Sequence, residues 1–145
     1  MQANIITIAN DGCILTKRGT PLYNSLRSTV SKVHLIDAKQ LALDKVSAAV
    51  SVKNAGRLIR RGIEQRDAAI KAGATGACTL VLQGREFLMP MSEGEKWSLT
   101  QDDLLYQKLK NLFGPKQGDV VVICSAQDGS LAEQGAMAAA LTLVT

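Results

Sequence analysis

Residues 118–141 read GDVVVICSAQDGSLAEQGAMAAAL and join an apolar run to an alanine-rich run, which is the strongest indication of the fold in the sequence. The apolar run predicts a strand that is buried in the sheet, since such strands are continuous rather than alternating in hydrophobicity. The alanine-rich run predicts a well-buried helix, or a helix followed by a short strand. Asp128 and Gly129 turn the chain between the two, and Asp128 or Ser130 caps the helix.

Three further strands are predicted upstream of this unit. The run VSAAVSV at residues 46–52 alternates valine with small residues, which favours a strand although its alanines leave a helix open. Two β-rich runs on either side of Gln83 and Gly84 predict a pair of strands joined by a turn. The polar run SEGEKW at residues 92–97 predicts a loop.

One helix is predicted from about residue 55 to residue 72. Ile59, Ile63 and Ile70 mark one of its faces and charged side chains mark the others, which indicates an amphipathic helix. Gly73 then serves as its C-cap.

The helix that follows the 92–97 loop has clear predicted boundaries. Thr100 followed by Asp103 begins it in the manner of a capping box, and it continues to Phe113. Gly114 and Pro115 end it, because proline cannot continue a helix.

Residues 1–45 predict smaller elements. Two β-rich runs around the turn sequence NDG at 10–12 predict a hairpin. Thr20 and Pro21 predict the start of a short helix. The run KVHLI at 32–36 predicts a brief strand.

In order, the elements after residue 46 run β-α-β-β-α-β-α and follow an N-terminal β-hairpin. This order predicts an α+β fold with two layers, a sheet and its helices. A chain of 145 residues is long enough for one core. We therefore expect an N-terminal extension, residues 1–45, that forms one compact unit with an α+β domain, residues 46–145.

The start of the chain, MQANIITIANDG, does not look like a secretory signal. It lacks the succession of a basic start, an apolar run and a small-residue cleavage site that marks such a signal. No stretch of the sequence approaches the ~18 apolar residues of a membrane span. We expect a cytoplasmic protein without a membrane partner.

Charge is distributed unevenly along the chain. Residues 1–73 contain 12 Lys and Arg against 5 Asp and Glu, a net charge of +7, whereas residues 74–145 contain 5 against 8, a net charge of −3. A basic surface favours acidic partners such as nucleic acid. The other interpretation is a solvated surface with its acidic complement across the fold.

The cysteine and histidine residues form no metal or disulfide pattern. Cys13, Cys78 and Cys124 are widely spaced in apolar runs, and the lone His34 has no second ligand nearby, so no metal or other cofactor is expected. Cys124 lies near the end of a strand before a helix, where a thiolate can be stabilised. Because Asp128 opposes ionisation of a nearby thiol and no base or arginine follows, we expect no catalytic residue. A small cysteine-dependent enzyme remains an alternative.

Residues 46–145 resemble the GAD domain, an insertion in bacterial-type aspartyl-tRNA synthetases and a part of the archaeal amidotransferase subunits that make glutaminyl-tRNA. The matching positions are Arg60–Arg61, Ile63–Glu64, the turn Gly73-Ala74-x-Gly76, Lys96–Trp97, Gly118–Asp119 and a closing Ala-Leu-x-Leu. The resemblance implies a translation context and contact with tRNA or with a component of the aminoacyl-tRNA machinery. The catalytic motifs of a synthetase are absent from the sequence.

Basic side chains concentrate on the predicted helix at 55–72. Arg57 and Arg61 are like-charged neighbours one turn apart, which is easier to explain if something anionic binds there. The other interpretation is that Glu64 and Asp67 neutralise them. The nucleic-acid-binding residues that we predict are Arg57, Arg60, Arg61, Arg66, Lys17 and Arg18.

The sequence therefore predicts a non-catalytic binding module that contacts tRNA or another nucleic acid through a basic helix. Contact should be mostly with phosphates, because only 5 aromatic residues are available for stacking on bases. The first alternative is a protein-protein interaction or self-assembly module, in which the oppositely charged halves dock head to tail with copies of the chain or with a partner.

Overall fold

A six-stranded antiparallel sheet lies at the centre of this computed structural model, which describes residues 6–9, 12–15, 28–91 and 94–144. Its strands are β3 (His34–Ile36), β4 (Val46–Val52), β5 (Gly76–Gln83), β6 (Glu86–Pro90), β7 (Lys96–Leu99) and β8 (Val120–Ala126). They lie in the order β3-β4-β8-β5-β6-β7. The predicted N-terminal hairpin is confirmed as a separate antiparallel pair, β1 (Ile6–Ala9) and β2 (Gly12–Leu15). The helix predicted at Thr20 and Pro21 lies outside the described residues.

Strand β8 is buried along its whole length. It pairs with β4 from Val52↔Val120 to Val46↔Ala126 and with β5 on its other side. Alternate side chains of β8 enter two different core clusters, one on each face of the sheet. Neither face of this strand meets water, which explains its apolar residues. The one polar residue, Ser125, is buried with its hydroxyl hydrogen-bonded to Ser47 at 2.9 Å.

Within the described residues, three helices cover the sheet: α1 (Ile63–Lys71), α2 (Leu104–Phe113) and α3 (Gly129–Leu141). Helices α1 and α3 pack against the face that carries Val122 and Cys124. Helix α2 packs against the other face through Leu105, Tyr106 and Leu109. The predicted α+β fold is confirmed, and the helices are divided between the two faces of the sheet.

Helix α1 is shorter than the predicted helix at 55–72, and its buried face is different. A 3-10 turn (Gly56–Leu58) comes first, and Gly62 immediately before the helix has φ +75°. Ile63 and Ile70, which we expected in the core, are 42% and 46% exposed, whereas Gln65 and Ala69 are buried. The predicted apolar face is therefore wrong at Ile63 and Ile70, whereas Ile59, which precedes α1, packs against the core.

The other helix boundaries agree better with the sequence. Asp128 accepts a hydrogen bond from the backbone N–H of Leu131 at 2.9 Å, which confirms the predicted cap of α3. Helix α2 ends at Gly114 with φ +53°, as predicted, but its N-cap is Asp103 rather than Thr100.

Strand β7 occupies part of the 92–97 run that we predicted as a loop. Its residue Trp97 lies opposite Met89 of β6, and both pack against the core cluster on the face of the sheet that α2 covers. Leu99 at the end of β7 is buried. The loop prediction is wrong at Lys96 and Trp97 because strand pairing and burial outweigh the polar sequence before them.

The predicted brief strand at 32–36 is confirmed as β3, which adds an edge to the sheet beside β4. Residues from the predicted extension 1–45 thus share a sheet with the predicted domain 46–145. None of the helices in the described ranges has both the length and the apolar character that a membrane crossing requires.

Candidate nucleic-acid interface

The connection between β4 and α1, residues 53–62, reads KNAGRLIRRG and is called here the basic segment. It contains four basic residues and no acidic one. Its backbone is attached to the turn before β8, because the N–H of Gly56 donates to the carbonyl of Gly118 at 2.8 Å. The segment is therefore held against the end of the sheet.

Arg57, Arg60 and Arg61 are exposed on this segment. None of them forms an ion pair or a side-chain hydrogen bond with any residue in the described ranges. The alternative in which Glu64 and Asp67 neutralise these arginines is therefore not found among the described contacts. As far as the described part of the chain goes, the three guanidinium groups are available to a ligand.

The remaining predicted residues are placed differently. Arg66 lies on α1 with its guanidinium 3.4 Å from the carboxylate of Asp67, so its charge is partly balanced. Arg57 and Arg61 do not lie one helical turn apart, because the 3-10 turn and Gly62 interrupt the helix. Lys17 and Arg18 lie outside the described residues.

A hollow of about 210 Å³ adjoins the basic segment. It is lined by the basic residues Arg60 and Lys96 and by the apolar residues Ile59, Leu88 and Pro90. Sequence reasoning singled out Lys96 only through the resemblance. No local signal identifies it as a neighbour of Arg60, since the pairing of β6 with β7 brings it there.

Cys124 does not have the surroundings of a nucleophile. It is completely buried. Burial raises the pKa of its thiol to about 11, with a smaller contribution from nearby Cys78. At neutral pH the side chain is a neutral thiol, which is a poor nucleophile.

Potential metal ligands are scattered in the described part of the chain, where no group of three or more His, Cys, Asp or Glu side chains could hold an ion. His34 instead contacts the ring edge of Phe113, with ring centroids 5.7 Å apart.

Comparison with known proteins corrects the predicted resemblance. The family model that matches the chain is DUF4443, described as a domain of unknown function, and it covers residues 43–143. The GAD assignment is therefore wrong. The motifs that suggested it are short and largely structural here: Gly73 and Gly118 adopt positive φ in turns, a requirement that many α+β domains share.

Among solved structures, the chain is similar to hypothetical protein PH0730 from Pyrococcus horikoshii OT3. The TM-score is 0.57 and the sequence identity is 24%, with 97% of this chain and 69% of that chain covered. This likeness shows the fold alone. No curated protein matches the chain.

Proposed function

The chain belongs to the DUF4443 family, and we propose that it is a non-catalytic module that binds nucleic acid by placing phosphates against the basic segment. The observation that carries this proposal is the state of Arg57, Arg60 and Arg61. All three are exposed and have no ion-pair partner among the described residues.

Arginine suits this role because its planar guanidinium donates paired hydrogen bonds to phosphate oxygens. Three uncompensated positive charges within five positions repel one another, and an anionic backbone relieves that repulsion. The attachment of Gly56 to Gly118 keeps the segment in place before any ligand arrives. Binding then costs less conformational entropy than it would for a free loop.

The expected contact is with the backbone of the nucleic acid rather than with its bases. Phe87 and Tyr106 are buried, and Trp97 and Phe113 pack against the core, so the described aromatic residues form no open stacking platform. Recognition should therefore depend little on sequence. The tRNA prediction depended on the GAD resemblance, and the proposal accordingly does not specify tRNA.

A cytoplasmic location is part of the same proposal. Cys78 and Cys124 are free thiols, which fits a reducing compartment.

The test is a fluorescence anisotropy titration with a labelled tRNA pool and a labelled duplex DNA at low salt. The decisive variant is Arg57→Gln/Arg60→Gln/Arg61→Gln. Its matched control is Lys45→Gln/Lys71→Gln/Lys108→Gln, which removes the same charge from exposed positions elsewhere. We expect micromolar binding that weakens about tenfold or more in the arginine variant and much less in the control.

No binding by the natural chain at low salt would refute the proposal. Equal losses in the two triple variants would also refute it, because net charge rather than the basic segment would then be responsible.

The self-assembly alternative has less support in the fold. In this alternative the basic half, residues 1–73, docks on the acidic half, residues 74–145, of another copy. However, β4 from the basic half lies in the sheet directly beside β8 from the acidic half. The two halves of the sequence therefore share one sheet. Salt-sensitive self-association without affinity for nucleic acid would favour this alternative.

A further inference from the structure

A second hollow, of about 540 Å³, lies where the end of β4 meets the turn before β8. Small-molecule sites in proteins commonly have volumes of ~300–1,000 Å³. The residues that line it include Ser31, Lys53, Asn54, Phe113, Lys116 and Gln117. Among the three arginines of the proposed interface, none lines it.

Asp119 joins the two turns that form the hollow. Its carboxylate accepts the backbone N–H of Asn54 at 2.9 Å and the backbone N–H of Lys116 at 2.9 Å. Asp119 is also 92% buried, with 8% of its surface exposed. Both of its carboxylate oxygens are therefore engaged in holding the backbone, and Lys53 and Lys116 are brought to the same hollow.

The polar groups left available at the hollow are mainly donors. The ammonium groups of Lys53 and Lys116 and the side-chain amide of Asn54 have no hydrogen-bond or ion-pair partner among the described residues. Gln117 uses its Oε1 to accept the N–H of Gly84 at 2.7 Å, which leaves its NH₂ group as a donor. An oxygen-rich anion is the ligand that such a set of groups satisfies.

Besides the Asp119 carboxylate, the hydroxyl of Ser31 is already engaged. The hydroxyl of Ser31 accepts the N–H of Ser51 at 2.8 Å and donates to the carbonyl of Lys32 at 2.9 Å. Phe113 adds an apolar side to the hollow, and its ring is positioned by the contact with His34. The hollow thus combines a cationic, donor-rich part with an apolar part.

We propose that this hollow binds a small phosphorylated molecule, with phosphoryl oxygens on Lys53 and Lys116 and an apolar or aromatic body beside Phe113. Two lysines match the double negative charge of a terminal phosphate. The proposal uses none of the three arginines of the nucleic-acid interface, although Lys53 and Asn54 belong to the basic segment.

Isothermal titration calorimetry with three probes tests this site: adenosine 5′-monophosphate, ribose 5-phosphate and adenosine. We expect the monophosphate to bind best, ribose 5-phosphate to bind more weakly without the ring, and adenosine to bind least. Lys53→Gln/Lys116→Gln should weaken monophosphate binding about tenfold or more, because both charged contacts are lost.

The matched control is Lys45→Gln/Lys108→Gln, which removes two lysines from a different hollow of about 350 Å³. It should change the affinity by less than about twofold, as expected for distant screened charges. The triple arginine variant should also retain monophosphate binding, and this result separates the present proposal from the nucleic-acid proposal.

Three results would overturn the assignment. The first is that neither phosphorylated probe binds at millimolar concentration. The second is that the monophosphate binds equally well to the Lys53→Gln/Lys116→Gln variant. The third is that this variant loses affinity for nucleic acid while the natural chain does not bind the monophosphate. The last result would make the two lysines part of a nucleic-acid surface.

Discussion

Cys124, which attracts attention in the sequence, is fully buried in the fold. Its thiol is enclosed by the sheet and by α3, and its pKa is raised to about 11 because burial disfavours the thiolate. A group with that pKa is only about 0.1% ionised near pH 8. Its part in the protein is to fill space in the core.

We expect Cys124 to remain unmodified when the native protein is treated with iodoacetamide near pH 8. It should react readily in urea, where the unfolded chain restores its ordinary pKa and access. Peptide mass spectrometry identifies the alkylated cysteine, and the urea sample serves as the control. Rapid alkylation of Cys124 in the native protein would revive the cysteine-enzyme alternative.

Gly135 is required by close packing rather than by backbone conformation. A Cβ at this position would lie 2.5 Å from Sγ of Cys124 and 2.8 Å from Cβ of Ala74. In a helix, alanine ordinarily replaces glycine with a gain in stability. Here the neighbouring atoms belong to the sheet and to the end of the α1 region, and they have little room to move.

Gly135→Ala should therefore lower the free energy of unfolding by about 1–3 kcal/mol, the usual cost of overpacking. Gly129→Ala in the same helix is the matched control, because its Cβ meets only the flexible side chain of Leu35 at 3.3 Å. Urea denaturation measures both. Equal stability of the two variants would show that α3 is not packed as described.

Helix α1 shows why its sequence was misleading at the scale of an element. Isoleucines at 59, 63 and 70 suggested the buried face, but the helix packs on α3 through Gln65 and Ala69. Gln65 donates from its amide to the hydroxyl of Thr142 at 2.9 Å, which satisfies its NH₂ group, while its Oε1 is buried without a partner among the described residues. Periodicity alone cannot reveal such an interface, because the packing of α1 against α3, rather than the spacing of apolar residues, determines which side chains are buried.

Gly62 determines where α1 begins. Its φ of +75° is unfavourable for residues with a Cβ, and the left-handed conformation costs such residues roughly 1–2 kcal/mol. Gly62→Ala should lower the free energy of unfolding by about 1 kcal/mol, whereas Gly62→Asn should lower it less, since asparagine tolerates this conformation better. Urea denaturation of the two variants makes the comparison, and a more stable Gly62→Ala variant would contradict the assigned helix start.

Elements with strong local signals were predictable. Consecutive β-branched residues predicted strand β8. Asp103, Gly114 and Asp128, at or next to the helix ends, predicted α2 and α3. Strand β7 was missed because four residues of mixed polarity become a strand only through pairing with β6. The local sequence does not predict that pairing.

At the scale of the whole molecule, the sequence indicated the charge but not its arrangement. The arginines of residues 57–61 could be found directly, since they are close together in the chain. Lys53 and Lys116 could not be associated, because they are far apart in sequence and meet only through the pairing of β4 with β8 and the contacts of Asp119. A site formed by turns that are distant in sequence cannot be predicted without knowing how the strands pair.

If Arg57, Arg60 and Arg61 bind phosphates, the affinity for nucleic acid must depend on salt through these three residues. Each neutralised phosphate of a duplex contributes about −0.9 to the slope of log affinity against log salt. Three contacts predict that the natural chain has a slope steeper than that of the triple arginine variant by about 2.7, or roughly 40-fold between about 50 and 200 mM salt. Parallel slopes for the two proteins would show that these arginines do not contact the nucleic acid.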